Sequence, residues 1–259
     1  MFFKKFIDLL TSLLSYFVCV GATFPSNRFK YTEEKRKLDQ IGSNSDIFNY
    51  YYNNNFWGDS ESVSGPGSTL AYTENLRAEL PKLIEELEVT SILDSPCGDY
   101  NWFRMIEWKS EITYVGGDIV ESLVSRNQLL YGSERRSFVC LDIINDKLPD
   151  ADIWLCRDCL FHLSNKDIAI VLQNFLRSNI KYLLTSTYPR SKKSIDIPSG
   201  SFRLLNLEIS PFNLGKPLKV IDDFIDGFPE RQLGLWERHK IIEALAKNKD
   251  FEALLTKAN

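Results

Sequence analysis

From Leu76 to Trp236 the sequence alternates between two hydrophobic periods, and this constrains the fold more than any other feature. The runs TSILDS, TYVGGDI, RSFVCLDI, KYLLTSTY and the start of ADIWLCRDCLFHL are short, apolar and bounded by turn residues, as buried strands are. TLAYTENLRAELPKLIEEL carries Leu76, Leu80, Leu83, Ile84 and Leu87 on one helical face. YNWFRMIEWK, VESLVSRNQLLYG and NKDIAIVLQNFLRS also read as helices, the last capped by Ser164 or Asn165. Strands that alternate with helices are joined by right-handed crossovers and form a mostly parallel sheet covered on both faces. After about residue 190, LLNLEISPFNL and QLGLWERH read as two further strands joined by a loop, an antiparallel pair at a sheet edge. The expected fold is therefore α/β, Rossmann-like and doubly wound, with seven strands.

This domain is assigned residues 69–259. Residues 25–68 read as a linker and pre-domain loop. They comprise a charged stretch to about residue 45, an aromatic and Asn-rich run (IFNYYYNNNFW) without clear period, and the loop GDSESVSGPGS. Residues 1–24 form an N-terminal helical extension. Phe3, Phe6, Ile7, Leu10, Leu13, Leu14 and Phe17 recur at helical spacing opposite Lys4, Lys5, Asp8 and Ser12. Three readings fit this amphipathic segment: a helix packed on the domain, an interfacial helix touching a membrane surface through residues 2–18, or a signal peptide over 1–22 ending in Val20-Gly21-Ala22. Asp8 and the polar stripe argue against a membrane span. The first two readings place the chain in the cytoplasm, free or membrane-associated; the third would send it to the secretory pathway.

A formal charge of −4 and a pI of about 5.4 argue against a general nucleic-acid binder, which shows a basic face. The five cysteines fall mostly in core strands, as reduced buried thiols do.

In a doubly wound sheet, ligands bind beyond the carboxyl ends of the strands. The first strand runs into Asp94-Ser95-Pro96-Cys97-Gly98-Asp99, where Gly98 admits close backbone approach and two acids face the mouth. Such acids suit an ammonium better than a pyrophosphate. Asp118 ends the second strand, placed for a ribose diol, with Ile119 beside it. Asp142 ends the third, within reach of an adenine amine, next to Ile143. S-adenosylmethionine carries an ammonium, a ribose diol and an adenine amine, and the expected cofactor set is Asp94, Pro96, Cys97, Gly98, Asp99, Asp118, Ile119, Asp142 and Ile143.

The ordered motifs LDSPCGDYNW, GGD, LDI and LCRDCLFHL resemble the class I S-adenosylmethionine-dependent methyltransferases over roughly Leu76 to Trp236. With FWGDSESVSGPGS they resemble a less characterised subgroup. Pro96 and Cys97 depart from the small residues usual in the first motif. The resemblance implies the seven-stranded fold of that class, the cofactor, and a rim after the fourth strand that faces the reactive methyl. Arg157, Asp158 and His162 occupy that rim. His162 is the candidate general base, Asp158 the group that orients it, and Arg157 a holder of cofactor or acceptor. Cys156 and Cys159 lack two further paired ligands, so no metal is expected. GPGS lacks the Lys-Ser/Thr of a phosphate loop but precedes the first domain helix and could fold over the cofactor. Trp57, Phe56 and Tyr50–Tyr52 are candidates for an acceptor pocket, with core packing as their other role. The expected reaction is methyl transfer to a hydroxyl or amine of a small-molecule or carbohydrate (glycan) acceptor. Two alternatives remain: a non-catalytic nucleotide-binding adaptor and an NAD-dependent oxidoreductase. The second would need a fuller glycine-rich turn.

Overall fold

The structure, a computed structural model, describes residues 42–108 and 111–256. The sheet has seven strands: β1 (Ser91–Asp94), β2 (Thr113–Asp118), β3 (Arg136–Cys140), β4 (Ile153–Cys156), β5 (Tyr182–Thr187), β6 (Lys219–Asp222) and β7 (Gln232–Glu237). Their spatial order is β3-β2-β1-β4-β5-β7-β6. The first five run parallel, and β7 is antiparallel to both β5 and β6. This is the α/β architecture that the alternating pattern predicts.

The pleat divides the apolar residues between two cores. Leu93, Trp154, Leu183 and Trp236 enter one, and Ile92, Leu155, Leu184 and Leu235 enter the other. Among the described residues the helices α2 (Glu74–Glu86), α3 (Glu121–Tyr131), α4 (Asn165–Arg177), α5 (Arg238–Leu245) and α6 (Lys249–Thr256) pack around the sheet. The predicted cap of α4 is Ser164, whose hydroxyl accepts from the Asp167 amide at 3.0 Å.

Four local expectations change. First, residues read as linker form a helix, α1 (Asn44–Asn53), with a capping box between Ser43 and Asp46. Only Ile47 and Tyr51 are buried along it, too narrow a stripe to register as a period. The Tyr51 hydroxyl donates to Gly200 O at 2.8 Å and docks this helix on the domain. Second, Leu204–Leu214 is not a strand. Leu205, Leu207, Phe212 and Leu214 are buried in an irregular segment that Pro211 and the left-handed Asn213 (φ 50°) interrupt. The edge strand is β6 instead. Third, YNWFRMIEWK contains only a single turn, Phe103–Met105. Tyr100 adopts φ 59°, and its ring packs among Phe103, Tyr114 and Phe138. Fourth, Cys97, Cys156 and Cys159 are buried free thiols, but Cys140 is exposed because β3 is an edge.

Residues 1–24, with the membrane-contact and signal readings placed on them, lie outside the described residues. Among the described residues no helix is long and apolar enough to cross a membrane.

Candidate active site

A cavity of about 590 Å³ opens at the carboxyl ends of β1 to β5. Asp94, Asp118 and Asp142, from three successive strands, line one part of it. Asp158 and His162, after β4, line another.

The three strand-end acids are held firmly. Asp94 is buried and accepts a 2.7 Å hydrogen bond from the Tyr114 hydroxyl. Burial raises its pKa to about 7, against that hydrogen bond. Asp118 accepts from the Gly98 amide at 3.0 Å and from the Val120 amide at 3.1 Å, so it ties the β1 turn to the end of β2. Burial raises its pKa to about 6, although those amides favour the anion. Asp142 shapes its own turn, accepting from the Ile144 amide at 2.9 Å and from Asn145 at 2.7 Å. Ile119, Ile143, Pro96, Cys97 and Gly98 also line the cavity. Beside them Ser95 Oγ is fully buried without a hydrogen-bond partner, a polar atom left for a ligand.

Asp99 does not reach the cavity. Its carboxylate accepts from Ser62 Oγ (3.0 Å), the Val63 amide (3.0 Å) and Ser64 Oγ (3.3 Å), so it fastens the pre-domain loop rather than a cofactor. Gly98 serves the same clamp. It has φ +55°, and a Cβ there would strike Ser64 Oγ, so this loop by itself excludes a side chain. The loop does fold over the cavity: Val63, Ser64, Gly65, Pro66, Gly67 and Ser68 line it.

The β4 rim is built on a buried ionic cluster. Arg157 forms a fork on Asp223, Nε to Oδ2 and Nη2 to Oδ1, both at 2.9 Å, and also donates to Gly67 O at 2.7 Å. Arg231 reaches Asp158 at 2.6 Å and Asp223 at 3.0 Å. Arg157 lies 3.4 Å from Asp158. Two guanidiniums thus balance two carboxylates. Their side chains are 0–5% exposed, except Asp158 at 25%. Arg157 therefore supports the rim, with its donors committed inside the protein. Asp158 has φ 53° and accepts from Ser186 Oγ at 3.2 Å. Burial disfavours its anion, but Arg157 and Arg231 outweigh this and hold its pKa below the ordinary carboxylate value.

His162 is set by a different group from the one expected. Its Nδ1 lies 2.8 Å from Ser201 O, a carbonyl that can only accept, so Nδ1 carries the proton and the neutral ring leaves Nε2 bare. Burial lowers its pKa; the Ser201 bond and the nearby Asp158 offset part of this. Sequence reasoning missed Arg231, Asp223 and Ser201, which come from the loops around the β6–β7 hairpin and after β5. Nothing local in the sequence pairs them with β4. Among the described residues no three His, Cys, Asp or Glu side chains gather into a metal cluster.

No protein-family model matches the chain, and no curated protein matches it. Solved structures do. The methyltransferase domain of bacterial CtHen1 superposes with a TM-score of 0.50 at 13% identity, covering 64% of this chain and 98% of that one. Magnesium protoporphyrin IX methyltransferase (ChlM) from Synechocystis PCC 6803 with bound SAH gives 0.49 at 12% identity, over 74% and 93%. PigF with SAH gives 0.47 at 16% identity, over 64% of this chain and 56% of that one, so this chain spans about half the length of PigF.

Proposed function

We propose that this chain, which has the class I methyltransferase fold, binds S-adenosylmethionine and transfers its methyl group to a hydroxyl of a small-molecule acceptor. The observation that carries this reading is the convergence of Asp94, Asp118 and Asp142 with Asp158 and His162 on one cavity. Asp94 and the unpartnered Ser95 Oγ would hold the amino-acid end, Asp118 the ribose and Asp142 the adenine amine, with Ile119 and Ile143 against the ring. When bound, the cofactor supplies an electrophilic methyl on a sulfonium. The chain's own part is to position the nucleophile, exclude water and remove a proton. Nε2 of His162 accepts the acceptor's proton, while Ser201 O holds the tautomer. Asp158, fixed by Arg231 and Ser186, stabilises the imidazolium through space.

Calorimetry with S-adenosylhomocysteine tests the cofactor. His162→Ala tests the base: turnover is expected to fall about 10²–10⁴-fold, with S-adenosylhomocysteine affinity retained. The ascending limb of the pH–rate profile is expected below the ordinary histidine pKa and absent in the variant. Unchanged turnover would remove His162 from the mechanism.

A further inference from the structure

The cavity continues past the cofactor-side acids into a wall of aromatic rings. Phe48, Tyr52, Phe56 and Trp57, from α1 and the segment after it, face the cavity together with Phe161 and Phe202. All but Phe161 are partly exposed, so this wall presents apolar ring surface to the cavity. The wall is braced from behind. The buried Tyr51 ring stacks on Phe56 at 4.1 Å and meets Trp57 edge-on at 5.5 Å. Phe161 and Phe202 meet edge-on at 5.3 Å, and His162 lies 4.6 Å and 5.8 Å from their centroids. Flat rings thus frame the candidate base.

Charge and hydrogen bonding narrow the occupant further. The cavity is lined by four carboxyls, Asp94, Asp118, Asp142 and Asp158, against two guanidiniums, Arg157 and Arg231, and both guanidiniums are paired with the buried Asp223. An anionic acceptor would meet no free cation there. The two polar groups next to the Phe161–Phe202 pair, Asp158 and Nε2 of His162, accept hydrogen bonds, so a ligand group seated against them must donate one. A sugar would present several hydroxyls to a wall of which four rings, Phe48, Phe56, Phe161 and Phe202, cannot bond them.

From this we infer that the acceptor is an uncharged aromatic alcohol of the phenol class, its ring held between the α1-side aromatics and the Phe161–Phe202 pair with its hydroxyl at His162. The inference rests on the methyl-transfer reading above. In the reaction the acceptor O–H bond breaks and its proton passes to Nε2. The oxygen forms the new O–CH₃ bond as the S–CH₃ bond of S-adenosylmethionine breaks, and the electron pair returns to sulfur, leaving neutral S-adenosylhomocysteine. The imidazolium then loses its proton to solvent.

The test measures direct binding to the full chain, by calorimetry and quenching of tryptophan fluorescence, with and without S-adenosylhomocysteine. The probes are 2-naphthol, 6-hydroxy-2-naphthoate, 2-naphthylamine and methyl glucoside. 2-Naphthol is expected to bind at least about tenfold more tightly than the carboxylate, which has no free cation to meet. The glucoside is expected not to bind, and mass spectrometry is expected to find the methyl ether and no methylated naphthylamine. Tyr52→Ala and Phe202→Ala should each weaken 2-naphthol about threefold to tenfold, as loss of a ring contact does, without moving S-adenosylhomocysteine affinity. Preference for the carboxylate, the amine or the glucoside would overturn the inference. So would 2-naphthol affinity unchanged in both variants. Failure of S-adenosylhomocysteine to bind while 2-naphthol binds would instead remove the cofactor reading and leave the aromatic site standing.

Discussion

Asp94 and Asp118 are buried acids whose pKa values stand at about 7 and about 6, well above the 3.8 of a free side chain. Both bind a proton more tightly in the folded chain than in the unfolded one. Their contribution to stability is therefore fully present below pH 3.8 and is lost as the pH rises through about 6 to about 7. A cofactor ammonium beside Asp94 and a ribose diol on Asp118 favour the ionised forms. S-adenosylhomocysteine affinity is thus expected to rise between roughly pH 5.5 and pH 8. Asp94→Asn should flatten that rise, and a pH series of titration calorimetry checks it. Asp118→Ala should weaken the same ligand about tenfold to a hundredfold, the effect of a charge-assisted bond worth roughly 1.5–3 kcal/mol. Equal affinity in parent and variant would remove the ribose from the end of β2. These positions were readable in the sequence because each strand ends on its acid, so the chain itself fixes the position. The partner of His162 was not readable: Ser201 offers only its backbone carbonyl, and every residue has one.

At the scale of elements, two sequence motifs prove to be one device. The loop from Gly58 to Ser68 and the turn after β1 are clamped together by Asp99 and Asn101. Asn101 donates to Glu61 at 2.8 Å and to Ser68 O at 3.1 Å. Glu61 also accepts from the Leu70 amide at 2.7 Å. Gly67 completes the assembly against the rim, where a Cβ would lie 2.9 Å from Asp158 Oδ2. The polar residues of GDSESVSGPGS therefore do more than make a soluble linker: they attach a cavity wall to the sheet. Asp99→Ala removes the carboxylate that holds Ser62, Val63 and Ser64, leaving only the Asp99 amide on Ser64 Oγ at 3.0 Å. Limited proteolysis should then cut between Gly58 and Ser68 in the variant at protease levels that leave the parent whole, because local opening sets that rate. Equal cutting would show that the loop holds without Asp99. The helix α1 escaped sequence reading for a related reason. Its exposed aromatics face a cavity, so they break the contrast between apolar core and polar surface on which periodicity depends.

Across the whole molecule, the apolar cores and the acid-lined cavity occupy different parts of the same sheet. The two cores meet along the strand interiors, where Trp154 is fully buried and its indole N–H donates to Ser95 O at 3.0 Å. The cavity-lining acids sit at the carboxyl ends. The mostly parallel sheet was legible in the alternation of elements, and with it the expectation that a ligand meets the carboxyl ends of the strands. The β6–β7 hairpin was less so, because its edge strand is four residues long with one buried side chain. The division also makes a paired prediction. Trp154→Leu trims a packed core and should lower unfolding free energy by a few kcal/mol, within the roughly 3–5 kcal/mol typical of a full large-to-small change. It should nevertheless keep the gain from ligand. S-adenosylhomocysteine at about one hundred times its Kd should add roughly 2.7 kcal/mol to the unfolding free energy. For a chain of this size that is a rise in Tm on the order of 5–10 °C. Asp118→Ala should do the reverse: it leaves the Gly98 and Val120 amides without their acceptor and so unfolds somewhat below the parent temperature, while gaining little at the same ligand concentration. Thermal melts of parent and both variants, each with and without ligand, give the comparison. If Trp154→Leu lost the ligand-dependent rise while remaining folded, core and site would be coupled through β4, and the strand ends could not be treated as a frame independent of what they hold.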